Sequence, residues 1–409
     1  MQQAKMKSRE ISLARAEELK KYCTKGVSTP KGTDAASISR YEENKAKLLG
    51  ILGGSEEDWN DWKWQMKHRI DNVEDLAKFL DLSKERKEEI KECGDKYRFA
   101  VTPYYLALID KENENDPIEA LCLPTAFEME SAGETDPMSE EFTNPAGSIT
   151  RRYPNRLIIN ITNACAMFCR HCQRRRKIGE SDCDVNKQNL EESLEYIRNN
   201  PEINDVLITG GDGLMLDDED LEYILSSLRK IPSVAVIRIG SRTLVTLPMR
   251  VTENLLTILE KYHPLYLNTH FNHPLELTPQ AIEACAKLNK AGVPLGNQMV
   301  LLEGVNNDKY VVECLNLELL KARVRPYYIF HAKKVVGTTH FCTSIDDGLK
   351  IMEHLRGRTS GMSIPTYIIN APNGLGKIPI LPEYIIERTP QKVVLRNWEG
   401  KIVECANEV

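Results

Sequence analysis

The sequence predicts an α/β fold: a partial (β/α)6 barrel of the TIM type, with a helical extension before it and a shorter segment after it. Three observations carry this expectation. From about residue 150, short apolar runs alternate with amphipathic stretches, the pattern of a parallel sheet covered on both faces. Six such runs occur, which suggests a partial barrel, and polar residues gather at their C-terminal ends, where barrel active sites are built. The chain has 409 residues, 41% hydrophobic and 28% charged. It is too long for one small domain and too ordinary in composition to be disordered or fibrous.

Residues 1–115 read as polar and helical. Arg9–Tyr22 is amphipathic, and Ser55 and Ser83 each stand where a helix cap is wanted. Trp59, Trp62 and Trp64 cluster in DWNDWKWQ and are expected to pack rather than to form a binding surface. Residues 116–150 are acidic, with Pro and Gly and little periodicity, and read as an extended connection over the surface. Residues 151–345 hold the barrel, with strands expected at 156–162, 205–211, 234–241, 264–271, 297–304 and 323–330. Helices are expected near 187–199, 217–230, 251–262, 278–291 and 308–322. Residues 346–409 add a helix, the strand IPTYIINAP, a glycine-containing turn and a hairpin-like end, KVVLRNWEGKIVEC.

A net charge of −6 argues against nucleic acid as a partner, leaving room only for a local basic patch. The apolar runs fall well short of the roughly 20 residues needed to cross a bilayer, and the first residues form no apolar signal core. A cytoplasmic protein without a membrane partner is expected. There its 11 cysteines stay reduced, and their odd number excludes complete pairing. Eight are scattered singly, as small buried hydrophobes usually are. The other three stand together.

They form Cys165-Ala-Met-Phe-Cys169-Arg-His-Cys172, directly after the first barrel strand. Three thiolates on one short loop suit three irons of a [4Fe–4S] cube and leave the fourth iron open for chemistry. A structural zinc site is the plainer reading. It wants a fourth ligand, and His171, wedged between two of the cysteines, is a poor one. At the end of the second strand stands Thr209-Gly210-Gly211-Asp212, where glycine lets the backbone approach a ligand closely. A tight turn explains the same residues equally well.

Two basic runs and one lysine complete the candidates. Gln173-Arg174-Arg175-Arg176-Lys177 follows the cysteines; half of it suits a solvated face, and one guanidinium is placed to clamp a carboxylate. Arg151-Arg152-Tyr153-Pro154-Asn155-Arg156 precedes the first strand and suits a phosphate. Lys377, in APNGLGK, sits on a Gly/Pro turn after an apolar strand. Such a lysine suits an imine with pyridoxal phosphate or an ordinary surface position, and the motif by itself favours the latter.

Taken together, RRYPNR, CRHCQRRRKIGE, LNTHFNHP, PLGNQ, RVRPYYI, LRGRTSG and APNGLGK resemble the lysine 2,3-aminomutase family of radical S-adenosylmethionine enzymes. The likeness runs colinearly from about residue 150 to 400, and DWNDWKWQ extends it toward the N-terminus. It implies a radical S-adenosylmethionine barrel whose cluster is held by Cys165, Cys169 and Cys172. The open iron would chelate S-adenosylmethionine, and one electron would release a 5′-deoxyadenosyl radical. Gly210, Gly211, Asp212, His270 and Gln298 fall at S-adenosylmethionine positions. Lys377 falls at the lysine that holds pyridoxal phosphate as an imine, and Arg152, Tyr153 and Arg156 fall at its other contacts. Arg174 matches the clamp for the substrate α-carboxylate. The resemblance further implies an isomerase, a reduced flavodoxin or ferredoxin as electron donor, and a homo-oligomer.

The departures are informative. Where the lysine enzyme places two aspartates for the substrate ε-ammonium, this chain has Lys333 and Asn370. Exchanging two anions for a cation and a neutral amide reverses the sign of the pocket. That implies the branch of the family that interconverts L-glutamate and β-glutamate (3-aminoglutarate) by a 1,2-amino shift. Whether Lys333 or its neighbour Lys334 faces inward stays open at this level. The C-terminal cysteines of the zinc-binding relatives are missing, and Asp308 stands at the partner cysteine position, so no zinc is expected. A lysine or other amino acid 2,3-aminomutase is the nearer alternative, and a non-catalytic iron–sulfur electron carrier the more distant one.

Overall fold

The computed structural model describes residues 2–23 and 28–407. Its strands in chain order are β1 Ile149–Thr150, β2 Arg156–Thr162, β3 Asp205–Gly210, β4 Val236–Gly240, β5 Leu265–Thr269 and β6 Leu295–Leu301. They continue with β7 Val324–His331, β8 Thr366–Asn370, β9 Lys377–Ile380, β10 Ile385–Arg388, β11 Lys392–Arg396 and β12 Ile402–Ala406. β1 to β9 form one sheet in sequence order, and β10 to β12 a small separate one. β2 to β8 run parallel, with β1 and β9 antiparallel at the two edges. Those edges do not pair among the described residues, so the barrel is partial. It has seven parallel strands rather than six. The seventh, β8, belongs to IPTYIINAP and is reached through the helix Ile345–Leu355, which makes this stretch one more unit of the sheet.

Alternation along the strands separates a packed face from a hollow one. On β2, Leu157, Ile159 and Ile161 are buried, while Ile158, Asn160 and Thr162 line a central cavity. On β6, Met299 and Leu301 are buried and Gln298 and Val300 line the cavity. The flanking helices start where side-chain oxygens accept the first free amides: Asn186, Thr252, Thr278 and Asp308 do so in turn. Each such cap contributes about 1 kcal/mol.

The N-terminal region grips the end of the barrel that carries the cysteine loop. Trp59 is buried and donates its indole N–H to the Tyr41 hydroxyl at 2.9 Å, as packing residues do. The Phe168 amide donates to the Ala100 carbonyl at 3.0 Å and the Arg170 amide to the Leu121 carbonyl at 3.1 Å. By contrast, the helix Gln2–Leu19 leaves Met6, Ile11 and Leu13 exposed, and Arg15 ties it to Glu399 at 2.7 Å.

Residues 116–150 differ from the extended surface connection expected. They form a helix at Pro117–Cys122 and 3-10 turns at Ala126–Met129 and Glu140–Thr143. Glu128 and Glu140 are carried into the interior. The physical reason is charge: both carboxylates are buried against arginines, and a buried carboxylate persists only when paired. No helix among the described residues is long and apolar enough to cross a membrane.

Candidate active site

A cavity of about 570 Å³ runs through the barrel interior. Its wall includes Cys165, Cys169, Cys172, Gly210, Gly211, Asp212, His270, Gln298, Arg152, Arg174, Lys333, Asn370 and Lys377. Tyr153 and Arg156 stand just behind that wall. The Tyr153 hydroxyl accepts the backbone N–H of Lys377 at 3.0 Å, and the Arg156 guanidinium stacks 3.8 Å from the Tyr153 ring centre. The pair therefore anchors the lysine turn.

At one end stand the thiols. Burial raises the Cys165 thiol well above its ordinary pKa, helped by Asp212 and the two neighbouring thiols, and burial also raises that of Cys172. The Arg242 guanidinium donates to the Cys169 sulfur at 2.7 Å. It is itself fixed by Glu276 at 2.6 Å and the His270 carbonyl at 3.1 Å. Among the described residues no three His, Cys, Asp or Glu side chains converge on a position for one metal ion. The fit to an iron–sulfur cube rests on the donor set: three thiols on one loop, facing one cavity, with a cation on one sulfur.

Beside the thiols the wall is polar and only partly satisfied. His171 Nδ1 and Asn268 Nδ2 are buried without a hydrogen-bond partner. Burial and the Arg242 cation lower the His270 pKa to about 4, so this ring is neutral. Gly210 and Gly211 are required by the backbone itself: a Cβ on Gly211 would overlap the Ala164 carbonyl, and Gly210 has φ +135°. The close approach that glycine permits here is to residues 162–164 of the cysteine loop. Asp212 is equally committed, accepting from the amides of Leu214 at 3.0 Å and Arg242 at 2.6 Å and from the Thr243 hydroxyl at 3.0 Å. It ties the end of β3 to the end of β4.

The other end of the cavity is cationic. Asn370 and Lys377 are register partners across the β8–β9 pair, so one turn places both at the wall. That turn needs left-handed backbone at Asn373, Gly374 and Gly376, which Asn and Gly supply at low cost. Lys377 lines the cavity and the residue remains exposed to solvent. Burial, with Arg238, Arg156 and Arg152 nearby, lowers its pKa to about 8. Its ammonium lies 4.6 Å from the Tyr328 ring centre. Lys333 lines the cavity whereas Lys334 is exposed, which answers which of the two faces inward. Burial, together with Arg152, Lys377 and Arg174, lowers the Lys333 pKa to about 7, against a partial offset from Glu140. Its ammonium donates to the side-chain oxygen of Gln173. Asn370 Nδ2 is buried with no partner.

Glu140 is the residue that sequence reasoning missed most clearly. One of its oxygens accepts from Arg152 at 2.9 Å and from Arg174 at 3.0 and 3.1 Å, and the other pairs with Lys177 at 3.1 Å. Burial alone would raise its carboxyl pKa; Arg174, Lys177 and Arg152 outweigh that and hold it at about 2. It was one acid among many in an acidic stretch, and no local signal distinguished it. Arg242 was equally silent, because its partner Cys169 lies 73 residues away. Arg152 Nε remains buried without a partner, an open donor for an anion beside Lys377.

A hollow α/β barrel with three thiols on the loop after its first parallel strand, joined to a lysine-and-arginine cradle, has the donor set of an iron–sulfur enzyme and the charge to receive an anion. The family model described as Radical SAM superfamily matches residues 159–315, and that described as Lysine-2,3-aminomutase matches residues 352–407. The chain is 57% identical over 401 residues to the glutamate 2,3-aminomutase of Clostridioides difficile, covering 97% of this chain and 95% of that one. It is 49% identical to the L-lysine 2,3-aminomutase of Clostridium subterminale, covering 87% and 86%. The L-lysine 2,3-aminomutase of Bacillus subtilis is 44% identical, covering 85% and 74%. The chain belongs to the lysine 2,3-aminomutase family of radical S-adenosylmethionine enzymes. As a member it is an isomerase that uses a [4Fe–4S] cluster, S-adenosylmethionine and pyridoxal phosphate.

Proposed function

We propose that this protein is a glutamate 2,3-aminomutase, moving the amino group of L-glutamate from C2 to C3 while one hydrogen passes from C3 to C2. The observation that carries the reading is the side-chain end of the cavity. There Lys333 offers an ammonium whose hydrogen bond goes to a neutral amide, and Asn370 Nδ2 offers a buried donor with no hydrogen-bond partner. The side-chain carboxylate of glutamate satisfies both, whereas the ammonium of a lysine substrate meets a like charge. The relative with the highest identity quoted above carries the same activity in its name.

The family's cofactors supply the hydrogen-abstracting radical and the π-system across which nitrogen migrates. The chain's own residues bind and orient. Cys165, Cys169 and Cys172 would hold the cluster, with Arg242 fixing the Cys169 sulfur. Gly210, Gly211, His270 and Gln298 would form the wall against S-adenosylmethionine, and Asp212 would brace it. Lys377 would hold pyridoxal phosphate, Arg152 would take its phosphate, and Tyr153 and Arg156 would keep the lysine turn in place. Arg174 would receive the α-carboxylate, with Glu140 orienting its guanidinium. Two carboxylate contacts at the two ends of a five-carbon substrate would fix C3 relative to the cluster end and exclude water from between.

On this reading residues 1–115 and 116–150 brace the cysteine loop, 151–345 carry the barrel, and 346–409 supply the cofactor lysine. A reduced flavodoxin or ferredoxin would deliver the electron, and the enzyme would work as a homo-oligomer in the cytoplasm. The test is to incubate anaerobically reduced, cofactor-loaded enzyme with L-glutamate and, separately, with L-lysine, and to identify products by mass spectrometry. β-Glutamate from the first and little β-lysine from the second are expected. Preferential formation of β-lysine would sink the assignment.

A further inference from the structure

We propose that Gln173 sets the charge preference of the side-chain subsite, by holding the Lys333 ammonium through a neutral amide oxygen that orients the cation without compensating it. The inference rests on the glutamate reading above and deepens it. Lys333 Nζ donates to Gln173 Oε1, and both side chains line the central cavity. An ammonium has three donors, so this bond leaves others for a ligand.

Placement makes the contact consequential. Gln173 sits between Cys172, a cluster cysteine, and Arg174, the α-carboxylate clamp. The Cys172 amide is fixed on the Cys169 carbonyl at 3.0 Å, and Arg174 is pinned by Glu140. The Gln173 backbone therefore has little freedom, and its amide oxygen holds Lys333 at a set distance from both. The nearby anion, Glu140, is already surrounded by Arg152, Arg174, Arg176 and Lys177. A carboxylate in place of the amide would pair with Lys333 and repel an incoming acidic side chain. The neutral acceptor is what keeps an ordered cation in the cavity with no carboxylate bonded to it.

Two variants test this in the holoenzyme: Gln173→Glu, which adds the competing charge, and Gln173→Met, which keeps the bulk and removes the acceptor. Iron content and the cofactor absorbance establish that each is loaded. With L-glutamate, Gln173→Glu is expected to raise KM at least 30-fold with kcat within threefold, and calorimetric Kd is expected to rise in parallel. Gln173→Met is expected to raise KM about fivefold, and it carries the test if the first variant does not load. A KM change under threefold in the loaded variant, or a KM rise matched by an equal loss of kcat, overturns the proposal. The wild type is assayed first with both L-glutamate and L-lysine. If it prefers lysine, the glutamate reading fails and this inference with it; if it prefers glutamate and the variants keep its KM, the Gln173 inference fails alone.

Discussion

Replacing Lys333 by methionine keeps an unbranched side chain of similar length and removes the cation we propose receives the substrate's side-chain carboxylate. In the wild type that carboxylate would receive a charge-assisted hydrogen bond from Lys333, a contact of about 1.5–3 kcal/mol. In the variant it would be desolvated beside Asn370 alone, which costs more than the bond itself. Because the cavity stays open to solvent, we take the combined loss as about 3 kcal/mol, or about two orders of magnitude in kcat/KM. The pH dependence sharpens the expectation. Burial and the neighbouring guanidiniums lower the Lys333 pKa from 10.5 to about 7. The ligand-free lysine is thus charged below that pH and neutral above it, so wild-type KM for L-glutamate is flat below pH 7 and rises above it. The other titrating groups are shared by both proteins, so the difference between the two profiles isolates Lys333. Initial rates of β-glutamate formation from pH 6 to 8.5, with cofactor content verified, measure both quantities. A Lys333→Met enzyme whose KM stays within fivefold of wild type, with an unchanged pH profile, would refute the reasoning.

Glu140→Gln removes a carboxylate whose pKa the surrounding cations hold at about 2 instead of 4.5. A lowered folded-state value means its stabilisation, about 3 kcal/mol, is present above pH 4.5 and fades as pH falls toward 2. Melting of the protein purified without pyridoxal phosphate is therefore expected to separate variant from wild type at pH 7 and to narrow that gap to under half by pH 3; a gap independent of pH would contradict this. Gly211→Ala forces a methyl into the backbone of Asn163 and Ala164. It is expected to lower stability by about 2 kcal/mol and to reduce iron loading, read by thermal melting and iron analysis, while an unaltered melt would show that the loop yields freely.

What the sequence disclosed was local in the chain. The three cysteines are legible because their spacing alone brings them onto one loop, and the parallel sheet is legible because its strands are apolar runs separated by amphipathic helices. β8 was assigned to the tail because nothing in IPTYIINAP reveals that it hydrogen-bonds to β7. The resemblance makes Tyr153 a cofactor contact, whereas the hydrogen bond its hydroxyl accepts from the Lys377 amide, 224 positions away, is visible only in the folded chain. The arginines of the basic runs were recognised as anion ligands, yet the anion that gathers them, Glu140, lay in a stretch whose composition suggested only solvated surface. Composition describes average surroundings, and Glu140 is an exception created by its partners. Gln173 was visible only as a member of a charged run; its function depends on Lys333, 160 residues downstream.

The central claim is that a cation and an amide at one end of the cavity choose an acidic substrate. It is tested most directly by competition in a single vessel: equimolar L-glutamate and L-lysine, anaerobically reduced holoenzyme, and the ratio of β-glutamate to β-lysine at early times. That ratio equals the ratio of kcat/KM values and needs no knowledge of how much enzyme is active. We expect at least 100 to 1 in favour of β-glutamate, about 2.7 kcal/mol of discrimination. A ratio at or below unity would contradict the account.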